Sequence, residues 1–260
     1  MLRITLLVVL VAVTGTFAGV RQRVPLLEWS RIVNGVDAAD GEYPSQLSLQ
    51  YYGSHSCGAS ILSANWALTA AHCVSGRSPS SLSLLAGTNK LNSGGSRHPV
   101  SQIIVHEQYS ASNSWINDIA VLKVSTPFSL DSRRQAVKLP AQGLATADNS
   151  RATVIGWGRL RQNGAIPNEL QKVDILIANQ AQCRSVYNSM GYNIYDSQIC
   201  ADVPEGGKGS CNGDSGGPLF VGGTVVGLVS WANGCATRGY PTVYNRVSSY
   251  RNWIAQKTGV

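Results

Sequence analysis

The stretch CNGDSGGP, residues 211–218, decides more about this chain than any other part of its sequence. Ser215 lies between Gly213 and Gly216, and glycines permit a tight, exposed turn in which backbone N–H groups converge on one point. A serine hydroxyl is a weak nucleophile at neutral pH unless a base removes its proton. The stretch therefore predicts a nucleophilic serine only if the chain also supplies a base and a group that orients the base.

Two upstream motifs contain candidates for both groups. TAAHC (residues 69–73) contains His72, and NDIAVL (residues 117–122) contains Asp118 among apolar residues. An imidazole suits a general base because its unperturbed pKa lies close to neutral pH. Alone, Ser215 would be interpreted as a turn serine and Asp118 as a capping or ion-paired aspartate. Together, the three motifs favour a catalytic interpretation.

These segments, in this order and at these separations, resemble the chymotrypsin-fold serine endopeptidases, the family of trypsin, chymotrypsin and elastase. The resemblance runs from Ile32 to the C-terminal helix. It implies an all-β fold of two six-stranded antiparallel β-barrels, with the active site between them and a C-terminal α-helix. The join is expected near residues 139–152, so His72 and Asp118 fall in the first half and Ser215 in the second. The resemblance also implies that Ser230 helps to hold Asp118.

Local patterns agree with an all-β chain. Strand-like runs recur between turn residues at 46–51, 66–70, 102–105, 119–124, 153–157, 170–177, 225–231 and 242–247. This spacing favours β-barrels or a β-sandwich over a parallel α/β fold. Apolar residues at 247, 250, 253 and 254 repeat at helical spacing, after a serine pair at 248–249 and before Gly259. They predict one terminal helix, capped by the serines, and no other helix is expected.

The N-terminal region is typical of a secreted precursor. Residues 1–18 combine Arg3, an apolar run and small residues at the cleavage positions, which predicts a signal peptide. The run is shorter than the roughly 20 residues of a membrane-spanning helix, so no membrane anchor is expected. Residues 19–31 are interpreted as an activation propeptide and residues 32–260 as the serine protease domain. The protein is expected to be secreted and extracellular.

The resemblance implies that cleavage after Arg31 activates the enzyme. The new α-amino group of Ile32 would turn inward and pair with Asp214, since either charge buried alone is costly. This pair would order the oxyanion hole, formed by the backbone N–H groups of Gly213 and Ser215. A separate trypsin-like protease is the expected activator.

The six cysteines all follow residue 31, and an even number in a secreted chain predicts disulfides. The sequence alone allows fifteen pairings. The resemblance implies Cys57–Cys73, Cys183–Cys200 and Cys211–Cys235. The chain has no C-x-x-C pair, and residues 87–95 contain no acidic residue, so neither a zinc nor a calcium site is expected. No metal and no cofactor are predicted.

The charge of the chain is modestly basic. Removal of residues 1–31, which contain four arginines and one glutamate, lowers the formal net charge from +7 to +4. Without a long basic run, this charge argues against nucleic-acid binding. The expected partners are protein or peptide substrates and protein inhibitors of proteases. Nothing in the sequence requires more than a monomer.

The residues of the primary pocket predict the specificity. In the family, the residue six before the nucleophile forms the pocket floor, and trypsins have Asp there, whereas this chain has Gly209, followed by Ser210. A buried substrate ammonium would then lack a partner, so trypsin-like cleavage is not expected. The resemblance places Ser230, Trp231, Ala232 and Thr242 in the walls.

Ala232 and Thr242 occupy wall positions that are usually glycine, so the pocket resembles that of elastases and predicts small to medium uncharged side chains. Chymotrypsin-like cleavage after Phe, Tyr or Leu is the alternative, and a catalytically inactive binding homologue is a further one. Trp115 is expected to wall the neighbouring subsite or simply to pack. His55 matches a position that supports the zymogen form. His98 and His106 are expected to be structural.

Overall fold

The computed structural model describes residues 31–260, so the predicted signal peptide and nearly all of the predicted propeptide lie outside the described residues. Six strands form the first barrel: β2 (Gln46–Tyr51), β3 (Ser54–Ser63), β4 (Trp66–Thr69), β5 (Leu82–Ala86), β6 (Ser96–Val105) and β7 (Ala120–Val124). They are antiparallel neighbours in the order β2-β3-β4-β7-β6-β5, and β5 pairs with β2 to close the barrel.

The second barrel contains β8 (Arg151–Gly156), β9 (Gln171–Ile177), β10 (Gln198–Asp202), β11 (Pro218–Val221), β12 (Thr224–Trp231) and β13 (Thr242–Arg246). Its order is β9-β10-β13-β12-β11-β8, and it closes because β8 also pairs with β9. A short strand, β1 (Val36–Asp37), adds to the outside of β9. The prediction of two six-stranded antiparallel barrels is confirmed.

Alternation along the strands builds each barrel core. In β2, Leu47 and Leu49 pair with Ala59 and Cys57 across β3, and all four residues are buried in the first core. Side chains two residues apart point to the same face of a strand, so these positions supply the barrel interior. The chain crosses to the second barrel between the end of β7 and the start of β8, and both barrels contribute to the cleft described below.

The described residues form more helices than the single terminal one that was predicted. The structure contains α1 (Arg31–Asn34), a single irregular turn, and α2 (Gln180–Asn188) and α3 (Arg251–Thr258). Short 3₁₀ turns span Ala71–Cys73, Pro79–Ser81 and Val247–Ser249. The sequence pattern did not predict α2, because this helix buries only two residues, Cys183 and Tyr187. Its start signal is Asn179, whose side chain accepts a hydrogen bond from the N–H of Gln182.

The terminal helix exists, but its predicted cap is wrong. The serines at 248–249 lie in a 3₁₀ turn, and α3 begins after Tyr250, which makes no side-chain capping bond. Gly259 ends the helix in a left-handed conformation, as predicted. All eight predicted strand runs overlap strands of the barrels. Strands β3, β5, β10 and β11 were missed. Within residues 31–260, no helix is long and apolar enough to cross a membrane.

The structure contains three disulfides, Cys57–Cys73, Cys183–Cys200 and Cys211–Cys235, the pairs that the family resemblance implies. Cys183 and Cys200 join α2 to β10, far along the chain from the Ser215 turn. Cys211, by contrast, lies four residues before Ser215. The first of these two bridges therefore holds the barrel framework, whereas the second also restrains the candidate site.

Replacing Cys183 and Cys200 together with alanine should lower the free energy of unfolding by about 3 kcal/mol, because the bridge closes a 17-residue separation in the unfolded chain. Peptide hydrolysis per folded molecule should be retained. Urea unfolding and initial rates measure the two quantities. The matched variant without Cys211 and Cys235 should lose both stability and activity. Equal losses of activity in the two double variants would contradict this assignment.

Candidate active site

Three segments bring the predicted catalytic residues to one cleft. His72 lies in the 3₁₀ turn that follows β4, Asp118 lies two residues before β7 begins, and Ser215 lies in the turn before β11. His72 and Ser215 line the same cavity of about 470 Å³, to which the first barrel contributes Trp115 and the second contributes Trp231. Residues 143 positions apart in the chain thus face one another only because the barrels pack side by side.

Asp118 is fully buried and accepts hydrogen bonds from both barrels. Its Oδ1 accepts from the backbone N–H of His72 at 2.8 Å, and its Oδ2 lies 2.7 Å from His72 Nδ1. From the second barrel, Ser230 Oγ donates to Oδ2 at 2.6 Å. A carboxylate only accepts, so Nδ1 carries the hydrogen and Nε2 is the atom left to act as a base. The side chain of His72 is 25% exposed, on the side of the cleft.

Ser215 is held in place by its backbone. Its carbonyl accepts from Gly58 N at 2.8 Å, and the next residue, Gly216, donates to Val229 O at 2.8 Å. No hydrogen bond joins Ser215 Oγ to His72 Nε2 among the described residues. Such contacts often tighten only when substrate binds.

The turn around Ser215 leaves two backbone donors free. Gly213 has φ 101°, a conformation that favours glycine. In residues 31–260, neither the N–H of Gly213 nor that of Ser215 donates to any protein group. Two unpaired donors beside a nucleophile are the arrangement that binds a developing oxyanion.

The carbonyl of Gly213 is held by a partly buried histidine. His55 Nε2 lies 2.9 Å from Gly213 O, and Ser48 Oγ lies 2.8 Å from His55 Nδ1. A carbonyl only accepts, so Nε2–H donates to it and Nδ1 accepts from the serine. Burial lowers the pKa of His55 to about 4. The neutral imidazole therefore connects the first barrel to the turn that carries Ser215.

Asp214 is buried beneath the same turn. Its carboxylate accepts from Gly158 N at 2.7 Å and from Cys211 N at 2.8 Å. A Cβ added at Gly156 or Gly158 would lie 2.2 Å from the carboxylate, so both positions need glycine. Burial raises the pKa of Asp214 to about 7, although the two hydrogen bonds oppose the shift. No basic group of the described chain pairs with Asp214. The side chain of Ile32 is fully buried in the core of the second barrel.

Hydroxyl groups form the base of the predicted primary pocket. Ser210 Oγ and Thr242 Oγ1 lie 3.5 Å apart, and both residues are buried and line the cavity. Tyr244 lies beside them, and burial raises the pKa of its phenol while the two hydroxyls oppose that shift. Gly209 lies behind Ser210 and donates to Val33 O at 3.3 Å. No carboxylate of the described residues lines this cavity.

The half-buried acid Asp202 lines another cavity. Burial and the charge of Glu205 raise the pKa of Asp202. It lines a separate cavity of about 740 Å³ on the outside of the second barrel, next to α2. It therefore does not replace the aspartate that the primary pocket lacks.

Aromatic rings form the wall next to this pocket. Trp115 stacks on Trp231 with ring centroids 5.6 Å apart, and Tyr192 lies 5.5 Å from Trp231. Ala232 also lines the cavity. The sequence did not reveal Tyr192 or Met190, which line the cavity from the loop after α2. The feature that marks them is that these large apolar side chains are partly exposed. Exposure can be read from the structure but not from the sequence.

The remaining histidines have packing roles. His98 is buried, bonding Ser96 Oγ at 2.7 Å and Thr126 O at 2.8 Å. His106 packs against Tyr250 and Trp253.

A group of potential metal ligands, Cys57, His72 and Cys73, offers no thiolate, because both sulfurs form one disulfide. With a buried carboxylate, an imidazole, a serine and two free N–H donors in one cleft, the site is of the serine hydrolase class.

Comparisons with known proteins agree with that class. The family model described as Trypsin matches residues 32–254. Trypsin Blo t 3 of Blomia tropicalis is 44% identical over 229 residues, which cover 87% of this chain and 85% of that protein. Trypsin-1 of Astacus astacus is 44% identical over 237 residues, covering 86% and 98%. Trypsin delta of Drosophila melanogaster is 43% identical over 225 residues, covering 86% and 87%.

The chain therefore belongs to the trypsin family and is a serine endopeptidase of the chymotrypsin fold. The family resemblance seen in the sequence is confirmed. The prediction that cleavage is not trypsin-like finds no support in the relatives' names, since all three are trypsins, and it stays a prediction.

The depressed pKa of His55 predicts a specific loss of stability on acidification. The unfolded chain binds a proton near pH 6.5, whereas folded His55 resists protonation until about pH 4. Its contribution to stability is therefore present above pH 6.5 and is lost as the pH falls from about 6.5 to about 4. The advantage of the wild type over His55→Gln should shrink across this window. Urea unfolding at pH 7, 5.5 and 4 measures it, and a constant difference would contradict the assignment.

Proposed function

We propose that this chain is a secreted endopeptidase zymogen in which Ser215 is the nucleophile, His72 the general base and Asp118 the group that orients the base. The observation that carries the proposal is the hydrogen-bonded series from Ser230 through Asp118 to His72, beside Ser215 in one cleft. The proposed substrates are proteins and peptides. Secretion rests on the predicted signal peptide and on the three disulfides, which are typical of oxidising compartments.

In the proposed reaction, Ser215 Oγ attacks the carbonyl carbon of the scissile bond and its proton passes to His72 Nε2. Asp118 stabilises the imidazolium through Nδ1–H. The carbonyl oxygen becomes an oxyanion that accepts from the N–H groups of Gly213 and Ser215. His72 then protonates the leaving amine, which leaves an acyl-enzyme. Water, deprotonated by His72, attacks the ester carbonyl and releases the acid and the free serine.

Activation is proposed to occur by cleavage after Arg31. The new ammonium of Ile32 would supply the positive partner that Asp214 lacks, because burial alone holds the pKa of Asp214 near 7 in the uncleaved chain. Full burial of the Ile32 side chain in the second core supports an inward position for this residue. Ionised Asp214 would then anchor the turn that carries both oxyanion donors. An external trypsin-like protease is the proposed activator.

The proposed specificity is for small to medium uncharged side chains. Ser210 and Thr242 put hydroxyls, not a carboxylate, at the pocket base, and a buried ammonium would be left without an ionic partner. Thr242 also occupies space that a large ring would need. Cleavage after Phe or Tyr is the alternative if the Thr242 side chain moves and leaves room for the ring. The names of the relatives favour trypsin-like cleavage. A peptide-library profile of the activated enzyme distinguishes this specificity from the proposed one.

Treatment of the full chain with trypsin should cut after Arg31 and make Ser215 reactive toward a serine-directed phosphonate. Mass spectrometry should find the label on Ser215. The Ser215→Ala variant should be cut but not labelled. The Arg31→Gln variant should be neither cut at position 31 nor labelled. Asp214→Asn should be cut yet labelled at least about tenfold more slowly, because its oxyanion donors lose their anchor. A correctly cut wild type that takes no label would instead be an inactive homologue.

A peptide-library profile of the activated enzyme should show cleavage after Ala, Val and Leu. Thr242→Gly should raise kcat/KM for a Phe substrate relative to an Ala substrate by about tenfold, since it removes the larger obstruction. Ala232→Gly, which removes a single methyl group, is the matched control and should change the ratio much less. Dominant cleavage after Lys or Arg by the wild type would overturn the pocket assignment without affecting the proposed catalytic residues.

A further inference from the structure

The segment that carries Asp118 has an unusual backbone. We call residues 114–118 the aspartate loop. Within it, Ser114, Trp115 and Asn117 have φ values of 51°, 50° and 56°. A left-handed conformation is unfavourable for residues with a Cβ and persists only where surrounding contacts hold it. The loop therefore needs external support, and it carries both the acidic catalytic group and an aromatic wall of the cleft.

Two buried amides of the second barrel supply support for both ends of this loop. Gln198 Nε2 donates to Ser114 O at 2.9 Å, and Asn245 Nδ2 donates to Asp118 O. Both amide residues are fully buried. They are also direct partners across strands β10 and β13. One cross-strand residue pair of the second barrel thus contacts the first and last residues of the aspartate loop in the first barrel.

The chemistry of these contacts requires hydrogen-bond donors. A backbone carbonyl only accepts, so a donor must face it, and the two side-chain amides supply it. Gln198 is fixed at its other end too, because its Oε1 accepts from Tyr195 N at 3.0 Å. Asn245 Oδ1 is buried and has no partner among the described residues. A buried unpaired acceptor lowers stability. The role of Asn245 therefore lies in the hydrogen bond that its Nδ2 donates to the carbonyl of Asp118.

The two contacts support different parts of the loop. Asn245 is the only side chain of the described residues that holds the backbone carbonyl of Asp118, whereas Ser230 holds its carboxylate. Ser114 is tied additionally by its Oγ, which accepts from Asn193 N at 2.9 Å. Gln198 therefore acts next to Trp115, and Asn245 acts on the catalytic aspartate itself.

We propose that Gln198 and Asn245 are positioning residues that hold the aspartate loop across the barrel interface, an inference that rests on the proposed function. Asn245 sets the position of Asp118 and hence the orientation of His72. Gln198 sets the position of Trp115 and hence the wall that contacts substrate residues before the scissile bond. Loss of Asn245 should therefore act mainly on kcat, and loss of Gln198 mainly on KM.

The test uses Asn245→Leu and Gln198→Met in the full chain after activation, because these replacements keep similar size but cannot donate. With active sites counted by phosphonate titration, Asn245→Leu should lower kcat about tenfold with little change in KM. Gln198→Met should raise KM for a tetrapeptide substrate about fivefold with little change in kcat. For a substrate with a single residue before the scissile bond, Gln198→Met should match the wild type.

The matched control is Gln171→Met. Gln171 is an equally buried amide of the second barrel whose Nε2 donates to Asp37 Oδ1 and Glu169 O, and whose Oε1 is also unpartnered. It should lose stability in urea while both kcat and KM stay as in the wild type. If Asn245→Leu and Gln198→Met behave like this control, the positioning role is wrong.

Hydrogen exchange provides a readout that does not depend on activity. Amides of residues 113–119 should exchange faster in Asn245→Leu and Gln198→Met than in the wild type, and not in Gln171→Met. Unchanged exchange in this segment would overturn the proposal even if activity fell. A wild type that neither hydrolyses peptides nor takes the phosphonate would refute the proposed function instead, and the exchange result would still decide the role of the two amides.

Discussion

The buried carboxylate of Asp118 is the constraint on which the rest of the structure depends. A fully buried carboxylate is tolerated only when its oxygens receive hydrogen bonds, and here the donors come from both barrels: His72 from the first and Ser230 from the second. Neither barrel alone can satisfy it. The requirement that keeps this charge stable therefore also aligns the barrels, orients the imidazole and places His72 opposite Ser215.

A second buried carboxylate, Asp214, behaves in the opposite way. Within residues 31–260 it has two backbone donors but no cationic partner, and burial raises its pKa to about 7. Asp118 is thus satisfied in the intact chain, whereas Asp214 has capacity for one further, positively charged partner. The hydrogen bonds of Asp118 are therefore complete before cleavage. The turn that contains Asp214 would gain its last partner, the Ile32 ammonium, only after the proposed cleavage. Neutral His55, on the other side of Gly213, links that turn to the first barrel.

The proposed specificity departs from what the names of the relatives suggest. Identities of 43–44% to three trypsins establish the scaffold and the family. The cavity, however, is lined by the hydroxyl residues Ser210 and Thr242 and by no carboxylate of the described residues, and Asp202 faces a separate cavity. Family membership follows from residues spread over the whole chain, whereas the preferred side chain depends on a few groups at one point. The two can therefore differ.

The sequence by itself determined an all-β chain and the candidate residues His72, Asp118 and Ser215, because strand-like runs and short motifs are local patterns, and the family resemblance of those motifs implied the two barrels. It did not reveal α2, a short helix that buries only Cys183 and Tyr187 against the second barrel. It also did not reveal the aromatic contact of Tyr192 or the amides of Gln198 and Asn245. Only the tertiary structure decided these, because each acts on a residue far away in the chain, and such a contact exists only after the two barrels have packed together.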